Sequence, residues 1–168
     1  MKKFGIQVAA LVILIFVASY FTFKTNYGVG QLTGTIPQSH TPSNVSVVQI
    51  GDTKINVELA DTPEKRGKGL GGRDSLDPNS GMLFTFDKPG KYQFWMKGMK
   101  FPLDFIWING SRVADILPNI QPPAPNEPDS QLDIYEPVTE VDKVLEVNAG
   151  FAASHNIKVG DSVEYLNQ

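Results

Sequence analysis

FPLDFIWINGSRVADIL, residues 101–117, decides the fold class. Successive side chains of an extended strand point to opposite faces, so Leu103, Phe105 and Trp107 share one face and Asp104, Ile106 and Ile108 the other. Trp107 is therefore expected in the core. Asn109-Gly110 follows, a strong hairpin signal because both central residues of a type I′ turn need positive φ. Arg112 to Leu117 then returns as the second strand.

The period of two recurs on either side of this hairpin. Ile55, Val57 and Leu59 alternate with Lys54, Asn56 and Glu58, and Val45 to Ile50, ahead of the Gly51-Asp52 turn, reads as their hairpin partner. Met82, Phe84 and Phe86 alternate next, and Asp87-Lys88-Pro89-Gly90 reads as a turn into a strand over Lys91 to Lys97. Val144 to Val147 and Ser162 to Leu166 bring the expected strands to about eight. Helix is limited to a piece opened by Asp61 or Thr62 with Pro63 at its first position, and to Ala149 to His155. Leu117 to Ser130 carries five prolines and reads as an extended loop. The expectation is an all-β domain with two short helices, a compact β-sandwich or barrel-like body behind an N-terminal transmembrane helix.

That transmembrane segment is Phe4 to Phe23, 20 uncharged residues between Lys2-Lys3 and Lys24. As a helix it spans about 30 Å, the thickness of bilayer hydrocarbon. Val17-Ala18-Ser19 would suit signal-peptide cleavage, yet the apolar run continues through Tyr20, Phe21 and Phe23, which favours a retained anchor. The leading lysines place the N-terminus inside the cell and the remainder outside. The chain thus divides into an anchor or signal peptide (1–24), a Gly/Thr/Ser/Pro-rich flexible tether (25–44) and an exported domain (45–168). The expected location is the cell membrane, single-pass, or secretion if the segment is cleaved.

With 168 residues, 41% apolar and 10% aromatic, the chain has material for one core. All eighteen acids but only twelve of the fifteen bases lie in 45–168, a net charge of -6 for the exported domain. No basic field supports nucleic-acid binding. The absence of Cys excludes disulfides, thiolate metal sites and a cysteine nucleophile. A monomeric soluble domain is expected, with no cofactor.

Gly67-x-Gly69-x-x-Gly72 matches a dinucleotide fingerprint in letters alone, because no strand–turn–helix unit surrounds it. Lys65, Arg66, Lys68 and Arg73 cluster beside it, either holding an anion or, for one Arg, bracing a carboxylate. In KYQFWMK, residues 91–97, Trp95 falls on the polar face with Lys97, as a ligand platform or as a side chain covered by the proline-rich loop or the tether. Asp104 is expected to be partly buried and held by a cation or N–H, with Arg73 first and Lys97 second as partners. Glu146 could join Asp104 as a carboxylate pair. His155 reads as a helix C-terminal cap and His40 as a solvated tether residue. No dense ligand spacing marks a metal site.

ELADTPEKRGKGLGGRDSL, GMLFTF, FWMKGMKFPLDFIWI and VLEVNAGFAASHNIKVGD, in that order, resemble the bacterial and archaeal domain-of-unknown-function family 192 over about residues 45–166. The resemblance implies a small, mostly β domain behind a signal peptide or single anchor, with no assigned activity. The family's recurrent positions fall here on Arg66, Gly69, Leu70, Arg73, Met82, Phe94, Trp95, Met96, Lys97, Pro102, Asp104 and Glu146. Gly71-Gly72 stands where relatives commonly carry bulkier residues, which suggests a pliable loop, and the proline-rich loop lacks the Cys of some relatives.

Two functions follow. The first is an extracytoplasmic binding or interaction module for an anionic or glycan-like envelope ligand or a protein, with Arg66, Arg73, Trp95, Lys97, Asp104 and Glu146 as candidate site residues. The second is a cell-envelope enzyme, such as a hydrolase, using Asp104 with Lys97 or Arg73. The first is favoured because no diagnostic catalytic constellation is present. A wash of native membranes is expected to leave the protein in the pellet with residues 4–23 still attached. Release into the wash with a terminus after Ser19 would show cleavage instead.

Overall fold

The computed structural model describes residues 45–167. The expected anchor and tether lie outside them, and no helix among the described residues is long and apolar enough to cross a membrane. Seven strands form one sheet: β1 (Val47–Ile50), β2 (Thr53–Ala60), β3 (Ser80–Gly90), β4 (Leu103–Asn109), β5 (Arg112–Ile120), β6 (Val141–Asn148) and β7 (Val163–Leu166). Their order is β5-β4-β6-β3-β2-β1-β7. Only β2 and β3 pair in parallel, so a crossover joins them. It contains α1 (Pro63–Lys68), whose cap Thr62 accepts a hydrogen bond from the Lys65 N–H through its hydroxyl at 3.2 Å.

The sheet curls into a half-barrel whose edge strands meet at one end. There Val113 N–H donates to Asp161 O (3.0 Å), Gly160 N–H to Val113 O (2.8 Å) and Val163 N–H to Ser111 O (2.9 Å). Val48, Ile50, Ile55, Leu83, Ile106, Leu145, Val147 and Val163 fill the concave side together with Phe151 of α2 (Phe151–Ser154). A second core lies on the opposite face of β3, β6 and β4, where Met82, Phe84, Phe105, Trp107 and Val144 meet Leu70, Met96 and Met99.

Met96 and Met99 belong to the segment expected as a strand over Lys91 to Lys97. That segment joins no ladder: its one bridge is Phe94 with Tyr135. The reason is topological, since β2 and β6 already occupy both edges of β3 and leave no N–H or C=O row free. The alternation still sets its faces, with Met96 3% exposed and Trp95 49%. The segment is a cover laid across the sheet, and it accounts for seven strands rather than about eight. Strand β5 instead runs three residues past Leu117, and Pro118 is tolerated because β5 is an edge strand.

Among the described residues four charged side chains are buried: Asp104, Asp142, Lys143 and Glu146. Asp104 faces the concave core, where its carboxylate accepts three backbone N–H groups: Asn119 at 2.8 Å, Gly150 at 3.0 Å and Ala152 at 2.9 Å. It therefore fastens the end of β5 and the start of α2 to β4. This corrects the expected Arg73 or Lys97 pairing. Arg73 makes two hydrogen bonds to Glu58 (2.5 and 2.8 Å), and Lys97 pairs with Asp129. The expectation of partial burial is corrected too, because Asp104 is wholly enclosed. Asp142 and Lys143 pair at 2.8 Å, and Asp142 also accepts the Gly110 N–H at 2.9 Å. The Tyr165 hydroxyl donates to Gly110 O at 2.9 Å, so the Asn109-Gly110 turn is held from both sides.

Asp104→Asn should destabilise the domain by about 2–4 kcal/mol in urea denaturation, because an amide NH₂ cannot accept all three N–H groups. Adding Arg73→Ala should recover none of that loss. Trp107→Ala should cost about 3–5 kcal/mol and Trp95→Ala less than about 1 kcal/mol.

Candidate functional site

A cavity of about 420 Å³ opens between α1, the glycine loop that follows it, the cover segment and the outer face of the sheet. Its floor is Phe84 of β3 and Glu146 of β6. Phe86, Tyr92, Phe94, Trp95, Leu70 and Met99 form apolar walls, and Arg66, Lys68 and Lys97 stand among the lining residues. Phe94 is the hinge of this aromatic set: its ring lies edge-on to Phe84 at 5.0 Å and to Phe86 at 6.3 Å. Phe86 in turn stacks on Tyr92 at 3.5 Å, which holds the strand-to-cover turn closed.

Glycines let the loop approach. A Cβ on Gly71 would sit 3.2 Å from Lys68 O and 3.3 Å from Lys97 O, and Gly69, at φ +50°, lies against the Phe84 ring. The Gly72 N–H donates to Gly98 O at 2.9 Å. The Gly71-Gly72 loop, expected to be pliable, is thus held against the cover by this hydrogen bond, and a side chain at Gly71 would crowd two carbonyls.

Glu146 is 5% exposed, and its carboxyl has no hydrogen-bond or ion-pair partner among the described residues. Ladder neighbours Met82 and Phe105 flank it. Burial alone raises its pKa from 4.5 to about 8, so at neutral pH it is a carboxylic acid able to donate as well as accept. None of the cations lining the cavity offsets this rise.

Of the sequence-derived candidates, Arg66, Trp95, Lys97 and Glu146 line this cavity. Arg73 does not, being paired with Glu58, whose pKa it lowers chiefly through the hydrogen bond. Asp104 does not either: it stands opposite Val147 in the β4–β6 ladder while Glu146 stands opposite Phe105. The two carboxyls therefore project from opposite faces of the sheet, and the expected pair does not form. An enzyme built on Asp104 with Lys97 or Arg73 loses its geometry on the same grounds.

Arg66 is braced rather than free, its Nη1 donating to Asp61 O and Thr85 O, both at 2.9 Å, with the guanidinium over the Phe86 ring. Lys97 lies over the Trp95 ring at 5.4 Å while paired with Asp129. The proline-rich loop, expected as a cover for Trp95, thus engages Lys97 and leaves the indole half exposed. His155 caps α2, its Nδ1 lying 2.9 Å from Phe151 O. No group of three or more metal-ligating side chains gathers among the described residues. Lys68 of the basic cluster expected to hold an anion also lines the cavity, whereas Phe84, Phe86, Tyr92 and Met99 are not singled out by the sequence as site residues. Their signal is the shared outer face of β3 and the cover, which becomes visible only once the cover is known to leave the sheet.

Two solved structures are similar. One is a protein of Sinorhizobium meliloti 1021 provisionally named a transcription regulator, 30% identical, with 71% of this chain and 92% of that one covered at a TM-score of 0.63. The other is a protein of unknown function from Novosphingobium aromaticivorans DSM 12444, 32% identical, with 74% and 89% covered at a TM-score of 0.63. No curated protein matches the chain. The family model DUF192, Uncharacterized ACR, matches residues 46–165, and the chain belongs to that family.

Proposed function

We propose that the domain is a non-catalytic binding module that takes a small molecule in the Glu146 cavity, held outside the cytoplasm by the apolar segment 4–23. One observation carries this reading: a carboxyl 5% exposed, without a partner among the described residues, on the floor of an open aromatic-walled cavity. Buried polar groups are ordinarily satisfied, and a carboxyl kept empty-handed at the cost of its desolvation is suited to meeting a ligand. Against catalysis stands the commitment of its neighbours. Arg66 is held by carbonyls, Lys97 by Asp129 and the Tyr92 hydroxyl by Lys88 O at 2.6 Å, which leaves Lys68 as the one uncommitted ionisable side chain beside Glu146 among the described lining residues. The anchor and the location rest on the apolar run and its flanking lysines.

The carboxyl has a measurable cost. The folded state holds its proton up to about pH 8, whereas the unfolded chain releases it near the ordinary 4.5. Between those values the folded state binds more protons, so stability falls as pH rises and the deficit is complete above pH 8. It amounts to roughly 3–5 kcal/mol. Glu146→Gln should match the native chain in urea denaturation at pH 5 and exceed it by a few kcal/mol at pH 9; parallel curves at both pH values would remove the desolvated carboxyl.

For binding itself, a fragment screen followed by amide NMR on the full-length chain should shift Gly69, Gly71, Trp95 and Gly98 together. Trp95→Ala should weaken the hits about tenfold while leaving stability within about 1 kcal/mol. A screen in which no fragment perturbs those four residues would overturn the module reading.

A further inference from the structure

The chemistry of the lining narrows the ligand. A saccharide carries several hydroxyls, each costly to bury unpaired, whereas this cavity offers five aromatic side chains, Leu70 and Met99 against the Glu146 carboxyl on its floor and the exposed Gln93 amide. A mainly apolar body fits, with one polar group reaching the floor. At the mouth the charge is positive. Among the described residues Lys65, Arg73, Lys97 and Lys100 are each neutralised in an ion pair, but Arg66 and Lys68 form none. Their two charges stand at the opening of a domain whose net charge is -6.

Resting on the module reading above, we infer that the cavity binds a small amphipathic organic anion, its acid group at Arg66 and Lys68, its ring against the aromatic walls and a hydroxyl or carbonyl at its far end meeting Glu146. The carboxyl meets that far group as a neutral acid. Ionised, it would repel the ligand and lose its donor. The groups facing it are Met82 and Phe84 from β3, Phe105 from β4, Arg66 and Lys68 from the α1 side, and Tyr92 and Lys97 from the cover; the cations among them belong to the ligand's acid end rather than to Glu146. Binding is therefore proton-linked with a fixed sign: strongest below about pH 8 and weakening above it.

Four probes of similar size separate the alternatives in equilibrium dialysis against the full-length chain: 4-hydroxyphenylacetate, the neutral alcohol tyrosol, the cation tyramine, and glucuronate as an acidic sugar. At pH 7, 4-hydroxyphenylacetate should bind at least about tenfold tighter than tyramine or glucuronate and about threefold tighter than tyrosol. Its affinity should fall about tenfold from pH 7 to pH 9, and Lys68→Ala should weaken it several-fold. Glu146→Gln, a neutral isostere that does not titrate, should abolish the pH dependence. Tyramine binding tightest, glucuronate binding tightest, no binding by any of the four at millimolar concentration, or an unchanged pH dependence in Glu146→Gln each overturns the anion assignment. The fragment screen decides separately whether the cavity takes small molecules at all.

Discussion

Strand β4 shows no face to water from Leu103 to Ile108, and β6 none from Val141 to Val147. Strands buried on both sides need two cores, and a single curled sheet of seven supplies only the concave one. The other must come from chain outside the sheet. Residues 61–79 and 91–101 meet that need, laying Leu70, Met96 and Met99 over Phe105 and Trp107. Such a cover is made of loops, and loops do not seal a surface as a second sheet would. The cavity is the gap they leave, and Glu146 is the side chain of β6 beneath it.

Two buried carboxylates on neighbouring strands show the difference between holding a fold and serving a site. Asp104 has its lone pairs taken by N–H groups from β5, from the residue preceding α2 and from α2 itself, so desolvation is offset by hydrogen bonds and the three elements are locked. Glu146 is also buried but reaches the cavity, and no hydrogen bond among the described residues offsets its desolvation, so it keeps its proton. A sequence that needed only a core would place an aliphatic residue between Met82 and Phe105. The Asp142–Lys143 pair, also buried, belongs with Asp104: its contacts pin a hairpin turn at the closed end of the barrel.

How far the sequence could be read follows from what period two encodes. Alternation assigns side chains to faces, and it did so for Trp107, Asp104, Trp95 and Met96. It says nothing of which edge a strand will find. The Lys91 to Lys97 segment alternates as a strand does, yet the parallel β2–β3 pair and the β3–β6 ladder had already taken the edges beside it. Asp104 and Glu146 likewise look alike in the sequence, each an acid within an apolar run. Only the ladder register, which places them on opposite faces, separates the structural one from the exposed-to-cavity one. Arg73 was coupled to Asp104 on chemistry alone, and geometry gave it Glu58 on the neighbouring β2.

The charge at the cavity mouth comes from the same arrangement. Surface ion pairs contribute little stability, so the Lys65–Asp61, Arg73–Glu58, Lys97–Asp129 and Lys100–Asp74 pairs matter less for the fold than for what they cancel. Each removes a positive charge from the rim of the glycine loop or the cover. Arg66 keeps its charge because its Nη1 donates to two carbonyls rather than to a carboxylate, which leaves the other N–H groups of the guanidinium for a ligand, and the Phe86 ring fixes its position without neutralising it. Lys68 keeps its charge at the C-terminal end of α1, directly before the close approach of Gly69 and Gly71 to Phe84 and Lys97. In an acidic domain, a ligand's negative group gains most where positive charge is left uncancelled, and here that place is the entrance to the cavity with the neutral acid on its floor.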